Sequence, residues 1–148
     1  MAYSTAFNAY KETGVKTAGQ GQLVVMLYDE AIKQLKSALG RIENDEGKIP
    51  AHLIEPFGAS ILKAESIITE LQASLNMEEG GEISKNLLAL YIYFNQELNE
   101  ANISHDKTKI ELVLKLLGDL REAWSSIAQT AGSAQTASYD APAIDIDG

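Results

Sequence analysis

The residues of this sequence that could bind a metal or transfer protons are two histidines and a group of carboxylates. A di-iron site in a helical protein needs a Glu-x-x-His motif on each of two helices. His52 precedes Glu55, which is the reverse order, and Asn102 stands where His105 would need its carboxylate. The chain has no cysteine, which excludes disulfides, thiolate nucleophiles and cysteine metal sites. The sequence therefore predicts no metal site.

The other motifs with catalytic potential are equally weak. Glu78, Glu79 and Glu82 surround a predicted loop, where a solvated acidic cluster is the simplest interpretation. A general acid needs a carboxyl group in an apolar pocket, and nothing in the sequence indicates one. Gly80 and Gly81 lack the lysine and the spacing of a phosphate-binding loop. We predict no catalytic residue, no cofactor and no enzymatic activity.

The composition is that of an acidic globular protein. The 148 residues include 12 Lys and Arg against 21 Asp and Glu, which gives a formal net charge of −9. Such a surface repels phosphate groups, so we expect neither a nucleic acid nor an anionic membrane as partner. The first residues are neither basic nor continuously apolar, and no apolar run approaches the ~18 residues that span a bilayer. We expect a soluble, cytoplasmic protein without membrane insertion.

Four segments carry the apolar periodicity of amphipathic helices. They cover about residues 23–42, 54–75, 82–102 and 106–127, and in each the apolar positions recur at alternating steps of four and three. Gly47, Pro50 and the pair Gly80 and Gly81 mark the connections, and Asp106 or Thr108 is expected to cap the fourth helix. Strands are not expected. Short connections between helices of this length predict an all-α, antiparallel, up-down four-helix bundle.

The two ends of the chain differ from this predicted bundle. Residues 1–20 are polar apart from a few aromatic side chains, and we interpret them as an N-terminal arm. Residues 21–128 form the bundle domain. Residues 129–148 are rich in Ala, Ser, Gln and Thr and are expected to be a mobile C-terminal tail.

Two predicted helices carry more apolar residues than a bundle needs. The run Leu23–Tyr28 is apolar around more than one face of the first helix. Leu88, Tyr91, Ile92 and Tyr93 extend the apolar stripe of the third towards the outside. The apolar excess of the first helix has two explanations: the N-terminal arm covers it, or it forms a groove that binds a partner. A bundle that exposes such a surface is expected to bind amphipathic helices.

Several motifs resemble the family of flagellar secretion chaperones called FliS. The most specific is the run Glu79–Leu87, and the resemblance spans about residues 7 to 128 in order. It implies an all-α bundle that binds the C-terminal segment of newly made flagellin in the cytoplasm, prevents its early polymerisation and assists delivery to the flagellar export gate. The other matching motifs are Asn8–Lys11, Met26–Ile32, Leu90–Tyr93, Leu98–Asn102 and Leu116–Trp124.

The resemblance also implies which residues contact the client. Phe7 and Tyr10 match an N-terminal arm that folds over the flagellin groove when no client is bound. The start of the first helix matches the residues beside that groove. Asn86, Tyr91 and Tyr93 match the signature of the third helix, for which core packing and client contact are both open. The candidate client-binding residues are Phe7, Tyr10, Leu23, Met26, Leu27, Tyr28, Asn86, Tyr91 and Tyr93. Two departures from the family pattern are Gly19-Gln20 in place of Ser-Pro, and Glu30 in place of Gly.

Two alternative functions remain open at this point. A helical adaptor could sequester a flagellar anti-sigma factor or an assembly factor through the same grooves. A purely structural helical oligomer could use the extra apolar faces as subunit contacts. Co-purification of a client separates these hypotheses from the chaperone.

Overall fold

The computed structural model describes the backbone of residues 20–137 and the side chains of residues 21–126. This part of the chain contains four long α-helices, one short 3₁₀ helix and no strand. Each long helix packs on the helix before and after it, and the first also packs on the fourth, so the four close into a ring. The prediction of an all-α four-helix bundle is confirmed.

Helix α1 (Gln20–Leu39) packs against both the second and the fourth long helix. Its fully buried residues Tyr28, Ala31, Leu35 and Ala38 follow steps of three and four, which place them along one face. The helix ends before Gly40, three residues earlier than the apolar pattern predicts. Ile42 is nevertheless buried, because the turn after α1 returns its side chain to the core.

Helix α2 (Ile54–Ala73) follows the 3₁₀ helix Ala51–Leu53. Pro56 lies in its first turn, where the missing N–H removes no helical hydrogen bond. Its buried residues again recur at steps of three and four, and they are Phe57, Ser60, Ile61, Ala64, Ile67, Ile68 and Leu71.

Helix α3 (Met77–Ser104) begins earlier than the apolar pattern predicts. The side chain of Asn76 accepts hydrogen bonds from the backbone N–H groups of Glu78 and Glu79, which caps a first helical turn. Gly81 has φ 55° and ψ −128°, a conformation that interrupts the helix before its main part starts. The expected loop is therefore a capped turn followed by a glycine kink.

Helix α4 (Lys107–Ala137) is the longest and has the predicted N-terminal cap. A carboxylate oxygen of Asp106 accepts hydrogen bonds from the backbone N–H and the hydroxyl of Thr108, at 3.0 and 2.6 Å. The helical backbone continues for ten residues beyond the expected end at residue 127. It therefore includes part of the segment interpreted as a tail, and residues 138–148 lie outside the described part.

Two connections pack against each other at one end of the bundle. Gly47, between α1 and α2, has φ 84°, and a Cβ atom there would lie 2.4 Å from the carbonyl oxygen of His105. His105 ends α3 in the left-handed conformation, and its ring contacts that of Phe57 edge-on with centroids 5.3 Å apart. His105 is thus a packing residue at this end of the bundle.

Candidate binding surface

Large exposed apolar side chains are concentrated on one helix. Among the described side chains none of them belongs to α1, although that helix has the strongest apolar excess in the sequence. Helix α3 carries more of them than α2 and α4 together, which makes its outer surface the candidate for binding. The complete set is Ile54, Leu62, Met77, Ile83, Ile92, Tyr93, Ile103 and Leu112.

The edge of α3 that faces α2 is identified by direct contacts. The side-chain amide of Asn95 donates to the hydroxyl of Thr69 at 3.1 Å and to the carbonyl of Glu65 at 3.5 Å. Asn102 lies against Gly58. Residues three or four positions apart share a helix face. Leu62 is four residues after Gly58, Ile92 is three before Asn95 and Ile103 is four after Asn99, so all three lie on the same strip. We call this strip the α2–α3 edge: Gly58, Leu62, Glu65, Thr69, Ile92, Asn95, Asn99, Asn102 and Ile103.

The edge of α3 that faces α4 is identified by ion pairs. The Lys109 ammonium lies 3.3 Å from a carboxylate oxygen of Glu97 and 3.1 Å from one of Glu100. The hydrogen bonds that the Lys109 ammonium donates to these two carboxylates, first to Glu100 and then to Glu97, raise the pKa of Lys109. Helical spacing places Tyr93 and Leu112 on this side. We call this strip the α3–α4 edge: Asn86, Leu90, Tyr93, Glu97, Glu100, Lys109, Leu112 and Leu116.

The structure separates the predicted client-binding residues into exposed and buried groups. Asn86 and Tyr93 are exposed on the α3–α4 edge, and Met26 is half-buried. Phe7 and Tyr10 lie outside the described residues. The remaining four are buried, so an external partner cannot reach them while the bundle keeps this packing: Leu23, Leu27, Tyr28 and Tyr91. Client contact by the predicted residues stays a prediction.

Two of the buried tyrosines, Tyr28 and Tyr91, belong to a polar cluster in the core. The hydroxyls of Tyr28 on α1 and Tyr91 on α3 form a hydrogen bond across the bundle. Trp124 of α4 contributes a further hydrogen bond to Tyr28. Burial raises the pKa of both phenols, because the phenolate form would lose its solvation. These residues connect three helices from the inside, which accounts for their place in the sequence motif.

One ion pair connects α1 and α4 at the surface. The Arg121 guanidinium donates from Nε to Asp29 at 2.8 Å and from a terminal nitrogen to the second carboxylate oxygen at 3.4 Å. A shallow, open depression of about 520 Å³ lies beside it and is lined by Asp29, Ile32, Lys33, Lys36 and Ser37. All five residues belong to α1, so the depression is an open groove along one helix rather than an enclosed cavity.

Sequence reasoning missed some residues of the exposed surface. Leu62 follows the buried Ile61, and Ile103 comes two residues after the buried Ala101, so both lie off the repeating pattern of their helices. The periodic pattern identifies only residues on the core stripe. The available indication was an apolar residue within two positions of the stripe, at a place where an amphipathic helix normally has a polar one.

The described part of the chain offers no candidate metal centre, since no three His, Asp or Glu residues there are grouped to hold an ion. His52 is exposed, and His105 packs on Phe57. None of the described helices is both long and apolar enough to cross a membrane. A closed helical bundle with apolar side chains exposed on one helix defines a helical binding protein.

The comparisons with known proteins specify this class. The family model of the flagellar protein FliS matches residues 3–131. The flagellar secretion chaperone FliS of Bacillus subtilis is 33% identical over 130 residues, which cover 88% of this chain and 91% of that protein. The FliS chaperones of Salmonella typhimurium and Escherichia coli are 38% and 35% identical, covering 81% and 76% of this chain and 84% and 79% of their own lengths. The chain belongs to the FliS family of flagellar secretion chaperones, and its function is that of a chaperone rather than an enzyme.

Proposed function

We propose that this chaperone binds the C-terminal segment of flagellin in the cytoplasm, keeps it from polymerising, and presents it to the flagellar export gate. The observation that carries the proposal is the exposed apolar surface of α3, above all the adjacent Ile92 and Tyr93. A filament-forming helix buries its own apolar stripe only in the assembled filament. Before assembly it needs a substitute surface, and an amphipathic helix fits an apolar groove between bundle helices.

The proposal gives the predicted client-binding residues two different roles. Asn86 and Tyr93 contact the client directly, and Met26 contacts it at the rim of α1. Leu23, Leu27, Tyr28 and Tyr91 act from within by fixing the positions of α1 and α3. A variant of the first group is expected to lose affinity with little loss of stability, and a variant of the second group is expected to lose both.

We also propose that the N-terminal arm competes with the client. Phe7 and Tyr10 are three residues apart, so in a helical turn they present one apolar edge. A docked arm lowers the apparent client affinity by the fraction of open molecules. The double variant Phe7→Ala/Tyr10→Ala should then associate faster, and dissociate faster if the rings also touch the client. An unchanged association rate together with a large loss of stability would contradict the competition.

The chaperone can hold and release its client without nucleotide hydrolysis. A segment that folds on binding can bury on the order of 1,000–3,000 Å², but part of the gain is offset by the cost of ordering it. Competition from the arm and transfer to the export gate then suffice for release. Because the contact is apolar, binding should show a negative heat-capacity change and weak salt dependence.

Isothermal titration with the C-terminal segment of flagellin tests the proposal. We expect one-to-one binding, a negative heat-capacity change between 10 and 35 °C, and similar affinity at 50 and 300 mM salt. A peptide of the same composition in scrambled order is the control. Absence of binding, or equal binding of the scrambled peptide, would overturn the proposal. A light-scattering assay should also show that equimolar chaperone suppresses flagellin polymerisation.

A further inference from the structure

We infer that Glu65 of α2 and Asn95 of α3 form a proton-binding pair. A single proton on the Glu65 carboxyl supplies the hydrogen that both side-chain oxygens lack, and it connects the two helices for as long as it stays bound. The inference concerns the bundle itself and does not depend on the proposed function, so either can fail without the other.

The two side chains lie in the same part of the seam between α2 and α3. The amide nitrogen of Asn95 donates to the hydroxyl of Thr69 at 3.1 Å and to the backbone carbonyl of Glu65 at 3.5 Å. The hydroxyl of Thr69 itself donates to that carbonyl at 3.0 Å. The amide nitrogen of Asn95 is therefore already engaged, and the Glu65 carboxyl extends from the same residue that this amide contacts.

Two buried oxygens of this seam have no hydrogen-bond partner among the described atoms. They are Oε2 of Glu65 and Oδ1 of Asn95. An ionised carboxylate and an amide oxygen are both acceptors, so neither can satisfy the other. A protonated carboxyl has an O–H group, and it can donate this hydrogen to Oδ1 of Asn95. Because unpaired buried acceptors are unfavourable, the arrangement favours the neutral acid.

The charged residues on the same face are too far along the helices to compensate an ionised Glu65. Glu55 lies ten residues before Glu65 on α2, and Lys85 lies ten residues before Asn95 on α3. Each separation is about 15 Å along the helix axis. Salt screens exposed charges at that distance, and the two charges have opposite sign. Glu65 belongs to none of the ion pairs of the described residues.

The other charged groups around this seam face away from the pair. On α2 they lie two and five residues from Glu65, which places them on the other side of the helix. Helix α1 packs on that other side, where Arg41 donates to Ser60 at 2.9 Å. On α3 the nearest charges belong to the α3–α4 edge. These groups are Lys63 and Glu70 on α2, Arg41 on α1, Glu97 and Glu100 on α3, and Lys109 on α4.

The direction of the pH dependence follows from burial. Burial raises the pKa of Glu65 above its ordinary value of 4.5. The contribution of such a group to stability is fully present below the unfolded pKa and is lost as the pH rises through the folded pKa. Asp106 responds in the opposite direction, because its pKa is lowered. A falling pH therefore strengthens the contact between α2 and α3 while it weakens the start of α4.

NMR titration of the side-chain carboxyl carbons tests the pairing in the full chain. We expect a midpoint for Glu65 above 4.5. Asn95→Asp should move it to still higher pH, because two adjacent carboxylates would share one proton. Asn99→Asp is the matched control, since Asn99 is exposed one turn further along α3, and it should shift the midpoint less than half as much. A midpoint at or below 4.5, or equal shifts in the two variants, would overturn the inference.

Urea denaturation at pH 8 and pH 5 tests the effect on the fold. Glu65→Gln introduces an amide of the same shape, which can donate to Asn95 at every pH. We expect its urea midpoint to exceed that of the unsubstituted chain by about 0.5 M at pH 8, and the gain to shrink at pH 5. Glu70→Gln removes the same charge from another side of α2 and should show no such pH-dependent gain. An equal gain in both variants, or a lower midpoint for Glu65→Gln at pH 8, would overturn the inference.

Discussion

The two ends of the bundle are built differently. At the connection end, Gly47 lies against the backbone of His105, Phe57 packs on the His105 ring, and Lys107 pairs with Asp45 at 3.1 Å. At the terminal end, where α1 and α3 begin, no described atom lies within 4 Å of the position that a Cβ would take at the Gly81 kink. Contacts between loops fix the first end, whereas the described contacts of Asn76 at the second end stay within the start of α3.

The difference shows that the two ends of α3 are constrained differently. Contacts between the two connections fix the register of all four helices at one end. The other end carries the start of α3, where Met77 and Ile83 are exposed.

The largest expected effect is that of Gly47→Ala at the connection end. The new Cβ would meet the carbonyl oxygen of His105, and the residue would have to keep a positive φ. Strain and displacement together should cost about 2–4 kcal/mol of unfolding free energy. Urea denaturation measures it. Gly40→Ala is the matched control, since its Cβ would have ordinary neighbours at 3.5 and 3.6 Å. Equal stability of the two variants would contradict the tight contact.

A smaller effect is expected for Gly81→Ala at the terminal end. No neighbour would be displaced, so the cost is that of the backbone conformation alone, about 1–2 kcal/mol. Gly118→Ala within α4 also meets no neighbour but has a helical backbone, and it should stabilise the protein by about 0.5–1 kcal/mol. Thermal unfolding of both variants distinguishes the two cases. Stabilisation by Gly81→Ala would mean that α3 is continuous there.

The sequence was sufficient for the architecture because helical periodicity depends on residues close in the chain. The core positions Leu35, Ile68, Leu98 and Leu117 were all evident from steps of three and four. The start of α3 was missed because the adjacent glycines indicated a loop. The structure instead has a helical turn capped by Asn76, which the backbone angles of Gly81 separate from the main part of the helix.

The candidate surface was less predictable than the core. An apolar excess at the start of α1 and one along α3 look alike in sequence, yet the first is largely buried and the second is exposed. Exposure depends on which neighbours cover a helix face, and that is a property of the assembled bundle. The contact between Gly47 and His105 joins residues far apart in sequence, so no local pattern could reveal it.

As the pH falls, the connection end should lose stability before the terminal end does. Hydrogen bonds from Thr108, first its hydroxyl, lower the pKa of Asp106 below its ordinary value of 3.8. A carboxylate with a lowered pKa stabilises the fold at pH values above the unfolded pKa, and this contribution is lost as the pH falls through the folded pKa. Asn76, the cap at the other end, does not titrate.

Hydrogen exchange by NMR at pH 5 and at pH 2.5, corrected for intrinsic rates, measures this difference. The amide of Thr108 should lose protection relative to those of Glu78 and Glu79. Asp106→Asn should abolish the difference, because the amide oxygen still caps the helix without titrating. Parallel loss of protection at both ends, in the original protein, would argue against a local effect of Asp106.

The smallest expected effect on stability is that of replacing an exposed isoleucine near either end of α3, and these two variants should differ in client binding. Ile83 and Ile103 lie near opposite ends of α3 and are 70% and 77% exposed. Replacing either with Ser removes almost no buried area, so the unfolding free energy should change by less than about 0.5 kcal/mol. Ile103 lies three turns after Ile92 on the same face of α3, whereas Ile83 lies on another face. On the proposed function, Ile103→Ser should therefore weaken binding of the flagellin C-terminal segment about fivefold, and Ile83→Ser should leave it unchanged. If Ile83→Ser weakens binding more than Ile103→Ser, the client docks at the terminal end of α3.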